Sequence, residues 1–190
     1  VYGEDVAFAT LLGAAVTTLP VTDITIDTAT GNVNITDLGT FNPTEHGVVW
    51  GTTENPTTLD SKTMDGPVSG IGTFASAITG LTPGTLYHVR AYAISTAGTS
   101  YGEDVVFMTH IAPTVTTQSV SSIGTTTAVG NGNITILGEP NPSQHGVVWG
   151  ISSNPTTADS KTMDGDVIGA GPFTSSITGL TPGILYHVRA

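Results

Sequence analysis

The chain contains no cysteine. That excludes a disulfide framework, a thiolate nucleophile and any metal site built on sulfur. Basic residues are also scarce, with 4 Lys and Arg against 15 Asp and Glu, a formal net charge of -11 at pH 7. Such a balance repels phosphate backbones and anionic lipid headgroups, so neither nucleic acid nor a membrane surface is an expected partner. Charge of either sign is thin, because Asp, Glu, Lys and Arg together make up 10% of the chain where about 25% is usual. Solubility therefore falls to Thr, Ser, Asn and Gly. No apolar run reaches the roughly 18 residues that a membrane helix needs, and no basic-then-apolar leader opens the chain. The expectation is that these residues carry no membrane span and no export signal, so a signal for secretion would lie outside them.

What is present is enough apolar material for a core, 38% of 190 residues, in a length that fits one domain or two. An internal repeat decides for two. Tyr2 matches Tyr101, His46 matches His145, Trp50 matches Trp149, Lys62 matches Lys161 and Arg90 matches Arg189, each 99 residues on. Aligning residues 1–91 with 100–190 needs no gap, and 58 of the 91 pairs are identical. A period this long exceeds a solenoid unit, which cannot bury its apolar face alone, and suits a module with its own core. The expected organisation is residues 1–10 as the last strand of a preceding module or a donor strand, 11–109 as the first sandwich, and 110–190 as a second sandwich without its final strand.

Within one period the signals are those of strands and turns. Segments rich in β-branched and aromatic residues predict strands at 15–18, 32–36, 46–51, 73–78, 86–95 and 101–109, with a weaker one at 22–27. Clusters such as Phe41-Asn42-Pro43, Glu54-Asn55-Pro56 and Thr82-Pro83-Gly84 separate them. High Gly, Thr and Pro content argues against long helices. The fold class is all-β, two tandem antiparallel sandwiches.

The clearest local marker is GLTPGTLYHVRAYA at 80–93, repeated as GLTPGILYHVRA at 179–190. A Leu, a Pro-Gly turn and a Tyr opening an alternating strand form the pattern of a tyrosine corner, with Leu81 and Tyr87, and Leu180 and Tyr186, as its members. An inward Tyr must satisfy its hydroxyl, so both tyrosines are expected buried and bonded to backbone. Alternation then sends Tyr87, Val89, Ala91 and Ala93 inward and His88, Arg90 and Tyr92 outward.

GVVWG followed by NPTT, then GLTPGTLYHVRAYAISTAGTSYGEDVVFMT, resembles the fibronectin type III-like repeats of large bacterial and archaeal surface proteins. The resemblance covers the whole period and is most specific over Gly80–Thr109. One departure is that the Trp common in the second strand of such domains is missing, and each copy instead has Trp50 or Trp149 in the third. The resemblance implies a seven-stranded sandwich at the cell surface or outside the cell, used for spacing, adhesion or assembly. It carries over no catalytic residue and no cofactor.

Candidate chemistry is sparse. His46 and His88, with Glu45, could hold zinc only if they converged, which their spacing does not demand, and cross-strand surface residues are the simpler reading. DSKTMDG at 60–66 and 159–165 lacks the alternating oxygen ligands of a calcium loop and reads as a solvated turn. Glu4 and Asp5, or Glu103 and Asp104, could bind calcium at a junction, but Glu103 and Asp104 fit a guarded strand edge better. Lys62 and Lys161 are the only lysines, and their polar setting argues against an isopeptide cross-link. No nucleophile elbow or paired carboxylates accompany the Ser, His and Asp present, so no enzyme is expected. Trp50 and Trp149 are read as core residues, with an exposed sugar platform as the alternative. Asn34 and Asn133 fit the N-glycosylation sequon, which permits modification without requiring it.

Two functions remain. One is an extracellular structural repeat forming a stalk or filament from neighbouring copies of the same module. The other is an adhesive module that recognises surface glycans or a protein through His88, Arg90 and Tyr92. The connection at 109–114 (THIAPT) should be short and stiff, since Pro113 restricts itself and Ala112. YGEDVAFAT at 2–10 repeats YGEDVVFMT at 101–109. Its Tyr2, Val6 and Phe8 are therefore expected to form an assembly strand, supplied either within a longer covalent array or by donor-strand pairing between chains.

Overall fold

A computed structural model of the chain describes residues 2–190. The chain forms two compact units, Val1–His110 and Ile111–Ala190. Both are built of strands, and no helix occurs among the described residues.

Among the described residues unit 1 has eight strands: β1 (Ala15–Thr22), β2 (Thr28–Asp37), β3 (Glu45–Gly51), β4 (Ser61–Lys62), β5 (Gly72–Thr79), β6 (Leu86–Ser95), β7 (Gly98–Tyr101) and β8 (Val105–Met108). One sheet runs β1-β2-β5 and the other β4-β3-β6-β7, with β8 also paired to β6. All the pairings are antiparallel. Two antiparallel sheets of this order, one of three strands and one of five, make a β-sandwich. The two-residue period of a strand explains the inner face of β2, where Ala29, Gly31, Val33 and Ile35 are buried while Thr30, Asn32 and Asn34 point out. With Ile78 of the neighbouring β5, they meet Val48, Val89 and Ala91 of the other sheet across the core. Gly31 lets the sheets approach, since a Cβ there would stand 2.9 Å from the Val48 methyls.

Unit 2 repeats the plan with β9 (Thr114–Ser121), β10 (Ala128–Ile136), β11 (Val148–Gly150), β12 (Ser160–Lys161), β13 (Gly171–Ile177) and β14 (His187–Arg189). Its sheets run β13-β10-β9 and β12-β11-β14. The core is smaller: Ala128, Val147 and Ile177 are buried, with Val120, Trp149, Phe173 and Val188 only partly covered.

Three expectations for unit 1 are corrected. Residues 22–27 do not form a strand beyond the end of β1. Asp23 has φ of 48°, and Thr25 Oγ1 accepts the Thr28 amide at 2.9 Å, so a side-chain turn replaces the ladder. The acidic stretch 60–66 is no solvated turn but contributes β4, which pairs Ser61 with Trp50 and Lys62 with Val49. The closing segment 101–109 is broken between β7 and β8, because Gly102 passes too close to β1 for a regular ladder. A Cβ on Gly102 would lie 2.4 Å from Thr18 Oγ1 and 2.5 Å from its amide nitrogen.

Candidate functional site: the slot for the closing strand

Unit 1 concentrates specific side-chain contacts where residues 101–109 close its second sheet. Tyr101 lies against Arg90, whose guanidinium carbon is 4.6 Å from the ring centre. Its hydroxyl accepts the Thr58 amide at 2.9 Å. Arg90 Nε donates to the Gly102 carbonyl at 2.9 Å, and the Gly102 amide donates to Ala91 at 2.9 Å. Thr18 Oγ1, beneath that glycine, accepts the Ala91 amide at 2.9 Å. Asp104 Oδ2 accepts from the Asn55 amide at 2.8 Å and pairs with His88 Nδ1 at 2.9 Å. Each residue of the Tyr-Gly-Glu-Asp motif except Glu103, which is exposed, thus has a dedicated partner.

The apolar half of the segment does the packing. Val105 pairs with Val89 and Phe107 with Tyr87, and the two rings stack at 5.7 Å between centroids. Thr109, also buried, ends the strand by donating from Oγ1 to Thr82 O at 2.7 Å and accepting the Thr85 amide at 2.9 Å. Val106 and Met108 face outward and are exposed.

The tyrosine corner stands beside this slot. Tyr87 and Leu81 are buried, and the Tyr87 hydroxyl accepts the Thr82 amide at 3.1 Å. In unit 2, Tyr186 keeps the bond, accepting from the Thr181 amide at 3.1 Å. Its ring, however, is only half-buried, as is Leu180. The expectation of a buried Tyr186 fails because among the described residues no counterpart of Phe107 stacks on it. A cavity of about 290 Å³ lies there, lined by Val120, Ala128, Trp149, Ile177, Leu180 and Val188. Tyr2, Val6 and Phe8 of the matching segment are exposed and lie outside any strand.

The face expected to bind a ligand is otherwise engaged. His88 and Arg90 hold the closing strand, and Tyr92 is 0% exposed. Alternation predicts an outward Tyr92 and does place it outside the sandwich core, but β4 and Thr63 cover that side. The Tyr92 hydroxyl lies 2.6 Å from Glu45 Oε1 and 2.5 Å from Thr63 O, so its proton finds an acceptor either way. Burial above all, and then Glu45, pushes its ionisation far above the ordinary tyrosine range. An unfolded chain gives up that proton near pH 10 while the folded unit keeps it. Above that pH the folded state binds more protons, so stability falls as pH rises. We expect Tyr92→Phe to flatten the decline in melting temperature between about pH 9 and 11, whereas Tyr2→Phe, at a fully exposed ring, leaves it unchanged. Equal slopes in all three proteins would refute the assignment.

The remaining candidates separate. His46 pairs with Ala93 and His88 with Gly51, so the two imidazoles stand at opposite ends of the β3–β6 ladder. His46 is buried, with Nδ1 2.8 Å from Gly66 O and its ring edge-on to Phe74. Lys62 Nζ is 3.6 Å from Glu45. Trp50 and Trp149 pack half-buried against their cores. Trp50 faces Val89, and Gly47 faces Tyr92, so Trp50 and Tyr92 do not stand opposite each other on the ladder and the exposed platform does not form. Asn34 sits between Thr17 and Thr73, and Asn133 between Thr116 and Pro172, both mid-sheet. Glu4 and Asp5 are exposed.

No family model matches the chain, and no curated protein does. Among solved structures it is similar to the crystal structure of chicken CNTN1 FN1-FN3 domains, with 14% identity and a TM-score of 0.37. The likeness covers 94% of this chain and 61% of that one, so the chain spans less than two thirds of that structure's length.

Proposed function

We propose that the chain is an extracellular structural repeat, a run of β-sandwich modules that sets length and stiffness in a head-to-tail stalk or filament. The observation that carries this reading is the upkeep of one mechanical element in both copies. The partners of the closing strand, Thr18, Asn55, Thr58, Tyr87, His88 and Arg90, recur as Thr117, Asn154, Thr157, Tyr186, His187 and Arg189. Residues spent this way hold a module shut; they do not make a reaction centre. An extracellular setting follows from the resemblance to surface-protein repeats, and the partners are neighbouring copies of the same module. The adhesive alternative loses support because His88, Arg90 and Tyr92 are committed to internal contacts.

Genes encoding one, two and four covalently joined copies of the chain provide the test. In electron micrographs, contour length should rise in proportion to copy number. Compact particles, or binding to a surface glycan that survives loss of the array, would overturn the structural reading.

A further inference from the structure

We propose that Asn34 and Asn133 carry N-linked glycans, borne on the outer faces of the β1-β2-β5 and β9-β10-β13 sheets. The inference rests on the extracellular reading and adds a covalent modification to it. Asn34-Ile35-Thr36 and Asn133-Ile134-Thr135 are acceptor tripeptides. The other tripeptides of the form Asn-x-Ser or Asn-x-Thr begin at Asn42, Asn55, Asn141 and Asn154, and all four have Pro in the middle, which blocks transfer. The turns are thus closed to the modification, and only the two sheets offer it.

Asparagine is a poor strand residue, so its presence in a central strand needs a reason. Asn32 has one: its Nδ2 donates to Pro20 O at 2.8 Å and to Thr22 Oγ1 at 3.2 Å. Asn131 does the same, donating to Ser119 O at 2.7 Å and to Ser121 Oγ at 2.9 Å. The side-chain amides of Asn34 and Asn133 make no hydrogen bond among the described residues. Both open to solvent, since the one buried side-chain polar atom without a partner among those residues is Asp104 Oδ1. The buried position between the two asparagines differs between the copies, Val33 in one and Gly132 in the other, while Asn-Ile-Thr is identical.

The surroundings leave room for a sugar. Asn34 lies between Thr17 and Thr73, and Asn133 between Thr116 and Pro172, all four short, uncharged and exposed. Thr36 and Thr135, the third members of the tripeptides, are exposed as well. In β1, β2 and β5 only Asp37 is charged, and in β9, β10 and β13 no residue is. A flat sheet face without charge has little to keep another such face away. A bulky, hydrated glycan supplies that cover. Transfer forms a bond from Asn Nδ2 to C1 of the first sugar and breaks the bond from C1 to a phosphate oxygen of a lipid-linked diphosphate oligosaccharide. Nδ2 gives up one proton, the lipid diphosphate leaves, and nothing is oxidised or reduced. An acceptor in a central strand must react before both neighbours have paired with it. Thr73 follows Asn34 by 39 residues and Pro172 follows Asn133 by 39, so at a synthesis rate of about 5–20 residues per second the segment stays open for roughly 2–8 s. Attachment therefore precedes folding, and the outward placement lets the finished sheet carry it.

The test secretes the 190-residue chain, extended by a flexible tail bearing one Asn-Ala-Thr acceptor, from cells that attach N-linked glycans. Trypsin cleaves after Lys62, Arg90 and Lys161, so the fragment 1–62 reports on Asn34, 91–161 on Asn133, and 63–90 contains no acceptor. Mass spectrometry should find a glycan on the first two and none on the third. Asn34→Gln and Thr36→Ala should each remove it from 1–62 alone, whereas Thr36→Ser, which keeps the hydroxyl, should retain it. Made in cells without the transferase, Asn34→Gln should melt at the same temperature as the parent, because the amide it replaces holds nothing in the fold. A modified tail with both fragments bare would overturn the proposal, and so would a bare 91–161 fragment in protein isolated from its own cells. Bare sites with contour lengths still proportional to copy number would remove only the glycans. Glycans on compact particles would keep the modification and remove the filament.

Discussion

Phe107→Ala is expected to destabilise unit 1 by about 3–5 kcal/mol, the usual cost of emptying an aromatic site in a core. Phe107 is 6% exposed and stacks on Tyr87 at 5.7 Å. Its loss would leave a hole between the closing strand and the tyrosine corner, with backbone on both sides already tied by the Thr109 and Thr82 bonds. The site therefore has little freedom to collapse. Against a total stability of about 5–15 kcal/mol for a typical domain, this loss is a large fraction. Phe8→Ala is the matched control, the same residue in the same motif, and in dilute solution it should leave unfolding of either unit unchanged. Urea titration followed by amide hydrogen exchange, read separately for residues of each unit, checks both. A shift below about 1 kcal/mol for Phe107→Ala would mean that the slot contributes little to closing the module.

How much of this could be read from the sequence depends on whether a residue's surroundings are local. The strands of the β1-β2-β5 sheet are legible, though shorter than they prove to be, because their β-branched residues and the turn clusters between them are local signals. Leu81 and Tyr87 are legible for a similar reason, since the corner closes within a few residues. Tyr92 is not. Its position in the alternation is right, yet what covers it is β4, a two-residue strand formed by residues 61–62, some thirty positions earlier. A segment so short and polar carries no periodic signal, and its pairing with Val49 and Trp50 depends on the rest of the sheet already existing. The break at Gly102 is hidden in the same way, because it arises from the approach of Thr18, a contact between distant parts of the chain. The half-burial of Tyr186 is a property of a neighbour in space: the motif around it differs from that around Tyr87 only in Ile184 for Thr85, and what it lacks among the described residues is the stacking ring.

The same clasp over Tyr92 makes Gly47 the position where one methyl group should matter most. Gly47 has φ of 154°, a conformation that side chains with a Cβ rarely adopt. A Cβ there would fall 2.3 Å from Thr63 Oγ1 and 3.0 Å from Thr63 O. Thr63 cannot easily retreat. Its Oγ1 accepts the Val48 amide at 3.0 Å and donates to Asp65 Oδ2 at 3.0 Å, while its amide donates to Val48 O at 2.9 Å. Asp65 in turn accepts from the buried Ser76 hydroxyl. Opposite Gly47 on the ladder is Tyr92, whose hydroxyl approaches the same Thr63 carbonyl. Gly47→Ala must therefore strain the backbone, displace Thr63 and loosen the cover over Tyr92 together. Overpacking at about 1–3 kcal/mol and backbone strain of similar size, partly relieved by movement, predict a net loss of about 2–4 kcal/mol. Gly70→Ala is the control, since a Cβ at Gly70 meets nothing within 4 Å, and it should be neutral or slightly stabilising. Spectrophotometric titration adds a readout that a general loss of stability would not move. In folded Gly47→Ala at moderate temperature, Tyr92 should ionise at lower pH than in the parent, because a loosened cover lets water reach its hydroxyl. A Gly47→Ala protein as stable as Gly70→Ala, with Tyr92 still resisting alkali, would show that the clasp does not depend on the missing side chain at Gly47.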